Sequence, residues 1–268
     1  MSLRNPFSEA RVSASEGEIP RTSHTRFKTM AFTFLMPWQQ SFQGSNANDT
    51  VLTFSSNQEI DLGEGDNFLL SLGDNTEAQS GNGDDTFVMF GANQSVTSTG
   101  GDNVVYTGFG DDTISLGGGD DRVISFGGDN TIGTGGGNDY IQTGGGNDWI
   151  ISGDGDDIIY GGGGHNYMNA GAGDDLLVAQ GTVMDAMRGG SGADTFDITQ
   201  AKGDVLINDF SFAEGDVLRM GASVVGSAFF TGSLQQGDDA VVEHNSGTIT
   251  VKDFFAQGNI NFNQIELV

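Results

Sequence analysis

The chain has no cysteine, so disulfides, thiolate metal sites and a thiol nucleophile are excluded. Proline is nearly as scarce, with three in 268 residues. Basic residues number only 10 against 37 acids, a net charge of −27, which argues against nucleic acid and anionic membrane surfaces as partners. Long apolar runs are also missing. The best stretch, Met30 to Trp38, is interrupted by Pro37 and is too short to span a bilayer or to form a secretory h-region. Catalytic signatures are absent too: there is no H-E-x-x-H, no G-x-S-x-G elbow, and no lysine in the glycine-rich stretch to make a P-loop. His24, His165 and His244 stand apart from one another in sequence, and a carboxylate pair cannot be told from so many other acids. The expectation is a protein that is not an enzyme.

What the chain has in abundance is glycine, 44 residues of it. Residues 44–178 divide into fifteen consecutive rows of nine with no insertion, and the eighth residue of each row is apolar: Val51, Ile60, Leu69, Ala78, Phe87, Val96, Val105, Ile114, Val123, Ile132, Ile141, Ile150, Ile159, Met168 and Leu177. A fixed period of this length marks a solenoid in which each row supplies one loop and one short strand. Position four is glycine at Gly65 and Gly83 and, without a gap, from Gly101 to Gly173, while position six is Asp or Asn in most rows. Glycine permits the positive φ of a sharp turn, so that carbonyls and the Asp carboxylate can converge within the loop. Calcium takes six to eight oxygen ligands of these two kinds.

Charge follows the same division. Residues 44–178 hold 22 acids and a single base, Arg122; residues 1–43 are net +2, and residues 179–268 are net −8. A compact solenoid carrying −21 repels itself, so its folded state requires cations.

Rows such as TGGGNDYIQ (134–142), TGGGNDWII (143–151) and SGDGDDIIY (152–160) approach G-G-x-G-x-D-x-U-x, and with them the chain resembles RTX (repeat-in-toxin, hemolysin-type) proteins. The resemblance implies an all-β fold, a parallel β-roll solenoid of nine-residue repeats with a C-terminal β cap domain, and multiple Ca2+ ions as cofactors. In a β-roll two rows complete one coil, so alternate rows form opposite loop edges and calcium lies between loops 18 residues apart. One edge then carries Asp49, Asn67, Asp85, Asn103, Asp121, Asp139, Asp157 and Asp175, its Asn rows flanked by Asp66 and Asp102. The other carries Gln58, Thr76, Gln94, Asp112, Asn130, Asp148 and Asn166, and its metal sites should begin only near Asp112. The candidate calcium ligands are Asp49, Asp66, Asp85, Asp102, Asp112, Asp121, Asn130, Asp139, Asp148, Asp157, Asp175 and, from one further repeat, Asp194.

Three regions are expected: an irregular leader or cap (1–43), the roll (44–178), and a last repeat with a C-terminal β cap (179–268). Residues 179–188 break the period before GGSGADTFD (189–197) restarts it; DVLINDF, DVLRM and AVVEH-NSG-TITVKDF follow as short strands, the last pair a hairpin. This segment, ending Ile265-Glu266-Leu267-Val268, resembles the C-terminal region of serralysin-type proteins. That resemblance implies bacterial export by a type I secretion exporter and a secreted or cell-surface location. The leading expectation is an extracellular structural or interaction component. The alternatives are an accessory module of an extracellular polysaccharide epimerase or hydrolase, and ice or polysaccharide binding by Ser95, Thr97, Thr113 and Ser115. One outward sheet face, with Phe68, Leu70, Val88, Tyr106, Ile124, Tyr140, Ile158 and Tyr160, reads as an apolar stripe. Such a stripe is expected either to lie under another part of the chain or to serve a homo-oligomer or surface partner.

Overall fold

A computed structural model describes residues 32–221, 234–236, 239–244, 247–254, 256–257 and 262–268. Among them the chain winds into a two-sheet parallel solenoid. Alternate strands form a twelve-stranded first sheet and a thirteen-stranded second sheet, the second including the added strands Leu234–Gln236 and Asp239–His244. Across the regular rows, neighbouring strands within each sheet lie 18 residues apart: Val51 pairs with Leu69 and Leu69 with Phe87 in the first sheet, Val96 with Ile114 and Ile114 with Ile132 in the second. Two rows therefore make one coil.

The core is built chiefly from the eighth side chain of each row, with Leu62, Met89, Leu116 and Ala170 joining it from position one. All fifteen eighth-position residues are at most 1% exposed. Stacked β-branched residues suit this narrow interior, because their stiff side chains fill a pleated surface with little rotamer entropy to lose.

The loops turn in two ways. Where position four is glycine, φ is positive, as at Gly146 (φ 140). In the early rows that lack this glycine, Asn57, Asn75 and Asn93 at position five take the left-handed conformation instead, with φ of 59, 54 and 56. Asparagine tolerates that region better than most side chains.

The solenoid extends beyond its regular rows at both ends. Residues expected in an irregular leader already form strands: Phe32–Leu35 pairs with Thr50–Thr53 in the first sheet, and Ser41–Ser45 pairs with residues 59–63 in the second. Leu35 and Phe42 enter the core. The role of residues 1–31 lies outside the described residues. The interruption at 179–188 proves local: Asp185–Ser191 takes the next place in the second sheet, with Met168 paired to Met187 at an offset of 19. Strands Val205–Ile207, Val217–Met220, Gly247–Val251 and Ile265–Leu267 then continue both sheets in parallel, so this segment prolongs the solenoid. The expected hairpin is present, Asp239–His244 against Gly247–Val251. Phe196, Phe210, Phe212 and Phe254 cluster at that end, with ring centroids 5.0 to 6.0 Å apart.

Candidate calcium centres

Each row's sixth residue ends the loop just before its strand, and the side chain turns inward. Every one, from Asp49 to Asp175, is at most 3% exposed, as are Asp185, Asp194 and Asp216. On the first edge they form one hydrogen-bonded column. The backbone N–H of each donates to the side-chain oxygen of the next coil: Asp85 to Asn103 (3.1 Å), Asn103 to Asp121 (2.8 Å), Asp121 to Asp139 (2.8 Å), Asp139 to Asp157 (2.7 Å), Asp157 to Asp175 (2.8 Å), Asp175 to Asp194 (3.1 Å) and Asp194 to Asp216 (3.0 Å). The second edge repeats this from Gln94 through Asp112, Asn130, Asp148 and Asn166 to Asp185.

One carboxylate oxygen is thereby used, and the other is left over. The Oδ2 atoms of Asp85, Asp112, Asp121, Asp139, Asp148, Asp157 and Asp175 are buried without a hydrogen-bond partner. An unpaired buried carboxylate oxygen is costly, because its lost hydration is not replaced. Burial accordingly pushes these groups above the usual carboxylate range: Asp139 and Asp175 to about 7, Asp112 and Asp121 to about 6. Asp157 above Asp139 and Asp194 beside Asp175 add like-charge repulsion.

The rest of the donor set is backbone. A Cβ placed on Gly135, Gly153, Gly171 or Gly190 would lie 1.8–2.0 Å from the carbonyl oxygen of the glycine one coil earlier. Only glycine leaves those carbonyls stacked along the inside of the edge. Among the described residues no three carboxylate or imidazole groups converge on one point, so carbonyls must furnish most ligands. Hard oxygens with one or two carboxylates per site suit Ca2+, and the residues present fit it.

Asn and Gln at position six behave differently from Asp. Asn67, Asn103 and Asn130 donate Nδ2 to the carbonyl of the position-four glycine in their own loop, at 2.7–2.8 Å. Asn130 also donates to Asp148, so it presents an amide N–H where a ligand oxygen was expected. Gln58 donates to Ser56 O, and Gln94 to Gly73 O and Ala92 O, while the Thr76 hydroxyl lies 2.9 Å from that of Ser71. None of these three rows brings a carboxylate to position six.

Of the expected ligands, Asp85, Asp112, Asp121, Asp139, Asp148, Asp157, Asp175 and Asp194 stand in the two columns. Asp49 does too, but its Oδ2 accepts the Ser45 N–H (2.8 Å) and hydroxyl. Asp66 and Asp102 do not. They occupy position five, exposed, where each accepts the N–H of the following coil, from Asp84 and Asp120. Adjacent residues of an extended loop point to opposite sides, so a carboxylate next to Asn67 or Asn103 faces solvent. Two column members were missed, Asp185 and Asp216, carried to about 6 and about 7 by burial. Their sequence signal is the triplet Asp-x-apolar, Asp185-Ala186-Met187 and Asp216-Val217-Leu218, out of the nine-residue phase. Asp216 differs in accepting the Ser211 N–H on Oδ2.

No curated protein matches the chain. The family described as RTX calcium-binding nonapeptide repeat (4 copies) matches residues 97–132, 124–158 and 142–177, the part of the solenoid in which both edges carry inward carboxylates. Residues 97–177 of this parallel β-roll are therefore RTX calcium-binding nonapeptide repeats, and such repeats imply multiple bound Ca2+ ions.

Proposed function

We propose that the chain is a secreted, non-enzymatic protein that orders itself on meeting external calcium and acts as an extracellular structural or interaction component. The observation that carries this reading is the file of buried, unpartnered Oδ2 atoms in a segment with one base among 22 acids. Bound calcium supplies positive charge and open coordination positions to those oxygens and to the glycine carbonyls. The carboxylates of Asp121, Asp139 and Asp157 position themselves for this through the N–H of the preceding coil, so each ion also ties two coils together. A ligand held only by the folded state adds RT ln(1 + [L]/Kd) per site; at a concentration 100-fold above Kd that is about 2.7 kcal/mol. Several sites then outweigh the repulsion of the calcium-free roll.

Export fits the type I route, read from the C-terminal region around Phe254, Phe255 and Leu267. Phe254 is buried in the terminal phenylalanine cluster; Phe255 and the Leu267 side chain lie outside the described residues. Circular dichroism during a calcium titration should show a cooperative gain of β-structure, with magnesium a poor substitute because of its stricter octahedral geometry. The same spectrum in chelator and in calcium would refute the coupling. Co-expression with a type I exporter should place the chain in the medium, and export undiminished by loss of residues 254–268 would refute that route.

A further inference from the structure

We propose that the outer face of the first sheet is the surface through which two copies of this chain associate, sheet against sheet. The outward positions of this sheet are seven, nine and the following position two. From Phe32 to Gln180 none of them is acidic, in a chain with 37 acids. Their one charge, Arg122, lies over the Tyr140 ring at 4.4 Å. The second sheet presents Glu59, Asp61 and Glu77 at matching positions, so the difference belongs to one face. Six phenylalanines mark its open surface: Phe32 (73% exposed), Phe34 (43%), Phe54 (54%), Phe68 (37%), Phe90 (50%) and Phe126 (48%). At about 200 Å² per ring they leave roughly 600 Å² of aromatic area to solvent, the upper limit of the largest patch on an ordinary monomer. The Leu, Val, Ile and Tyr residues between them carry the face past the roughly 800 Å² per partner that a stable complex buries.

Among the described residues the chain offers this face little cover. The C-terminal strands continue the two sheets and do not fold back over this face. In residues 1–31 the apolar side chains other than methionine and alanine are Leu3, Phe7, Val12, Ile19 and Phe27, scattered among Ser, Thr, Arg and Glu, too few for a surface that runs roughly 40 Å at about 4.8 Å per coil. A second copy matches it in length, flatness and apolar character, and the packing of two sheets about 10 Å apart is an established way to bury such a surface. The acids of both copies stay on the loop edges and outer sheets.

Light scattering on the full chain in millimolar calcium should give twice the monomer mass, and Phe54→Ser with Phe90→Ser should halve it while the calcium-induced dichroism persists. Since the chain has no cysteine, Val88→Cys alone should be joined into dimers by a short bis-maleimide, and Thr113→Cys, on the second sheet's outer face, should not. The second pair does not depend on how well the serine variant folds. A wild-type monomer at tens of micromolar, a dimer indifferent to the serine substitutions, or equal cross-linking at both positions would each overturn the proposal.

Discussion

Asp139 and Asp102 have the same side chain and opposite surroundings. Asp139 is 2% exposed with Oδ2 unpartnered; Asp102 is exposed and accepts the Asp120 N–H. Asp139→Ala removes a buried oxygen that calcium uses, and should raise the calcium midpoint of folding at least about tenfold, equivalent to about 1.4 kcal/mol. Asp102→Ala should move it by no more than about twofold, since one exposed side-chain bond is worth about 1 kcal/mol or less. Dichroism titrations of the two variants check this, and equal shifts would show that the columns have been interchanged.

Glycine divides in the same way at the scale of the element. A Cβ on Gly153 (φ 121) would sit 1.8 Å from Gly135 O, whereas one on Gly145 would meet nothing within 4 Å. Gly153→Ala should therefore cost about 3 kcal/mol or more, through strain and a displaced carbonyl, and Gly145→Ala should stay within about 0.5 kcal/mol. Thermal melts in calcium distinguish them. These details show what a nine-residue rhythm makes legible. One apolar residue per row announces the coil, the core and the inward carboxylates, because each recurs in phase. The first coil, Phe32 to Ser45, carries neither the glycine set nor an inward acid, and its strands are visible only through their pairing. Asp185 escapes because a single extra residue shifts the phase while the hydrogen-bonded column absorbs it, and Asp216 because its coil has lost the glycine pattern. Asp66 and Asp102 mislead because proximity in sequence says nothing about which side of an extended loop a carboxylate takes.

Across the whole molecule the raised carboxylates couple folding to protons. Asp139, Asp175 and Asp216 stand at about 7 and Asp112, Asp121, Asp185 and Asp194 at about 6, against about 3.9 for an unfolded aspartate. Between those values the folded, calcium-free chain binds more protons than the unfolded chain. Its stability is then greatest near pH 4 and is lost as pH rises through 6 to 7. In chelator, acidification from about pH 8 to about pH 5 should increase the β-structure seen by circular dichroism. In calcium the dependence reverses, because protons compete for the same oxygens, and the calcium midpoint should climb over that interval. A chelated protein whose dichroism is unchanged between these pH values would contradict the burial of the columns.

The ends of the solenoid are unlike. At its start, Phe32–Leu35 and Ser41–Ser45 are the outermost described strands of two parallel sheets. At its finish, the second sheet turns back on itself: Asp239–His244 runs antiparallel to Gly247–Val251, and Leu234–Gln236 runs antiparallel to Asp239–His244. These two strands are a meander within one sheet, so they do not repeat the 18-residue coil step that the first coil of another molecule would continue. A structure made of stacked, nearly identical coils is one step from an open-ended fibre. Here an antiparallel meander in one of the two sheets breaks the repeat, so a further coil meets no margin that continues both sheets in the same step.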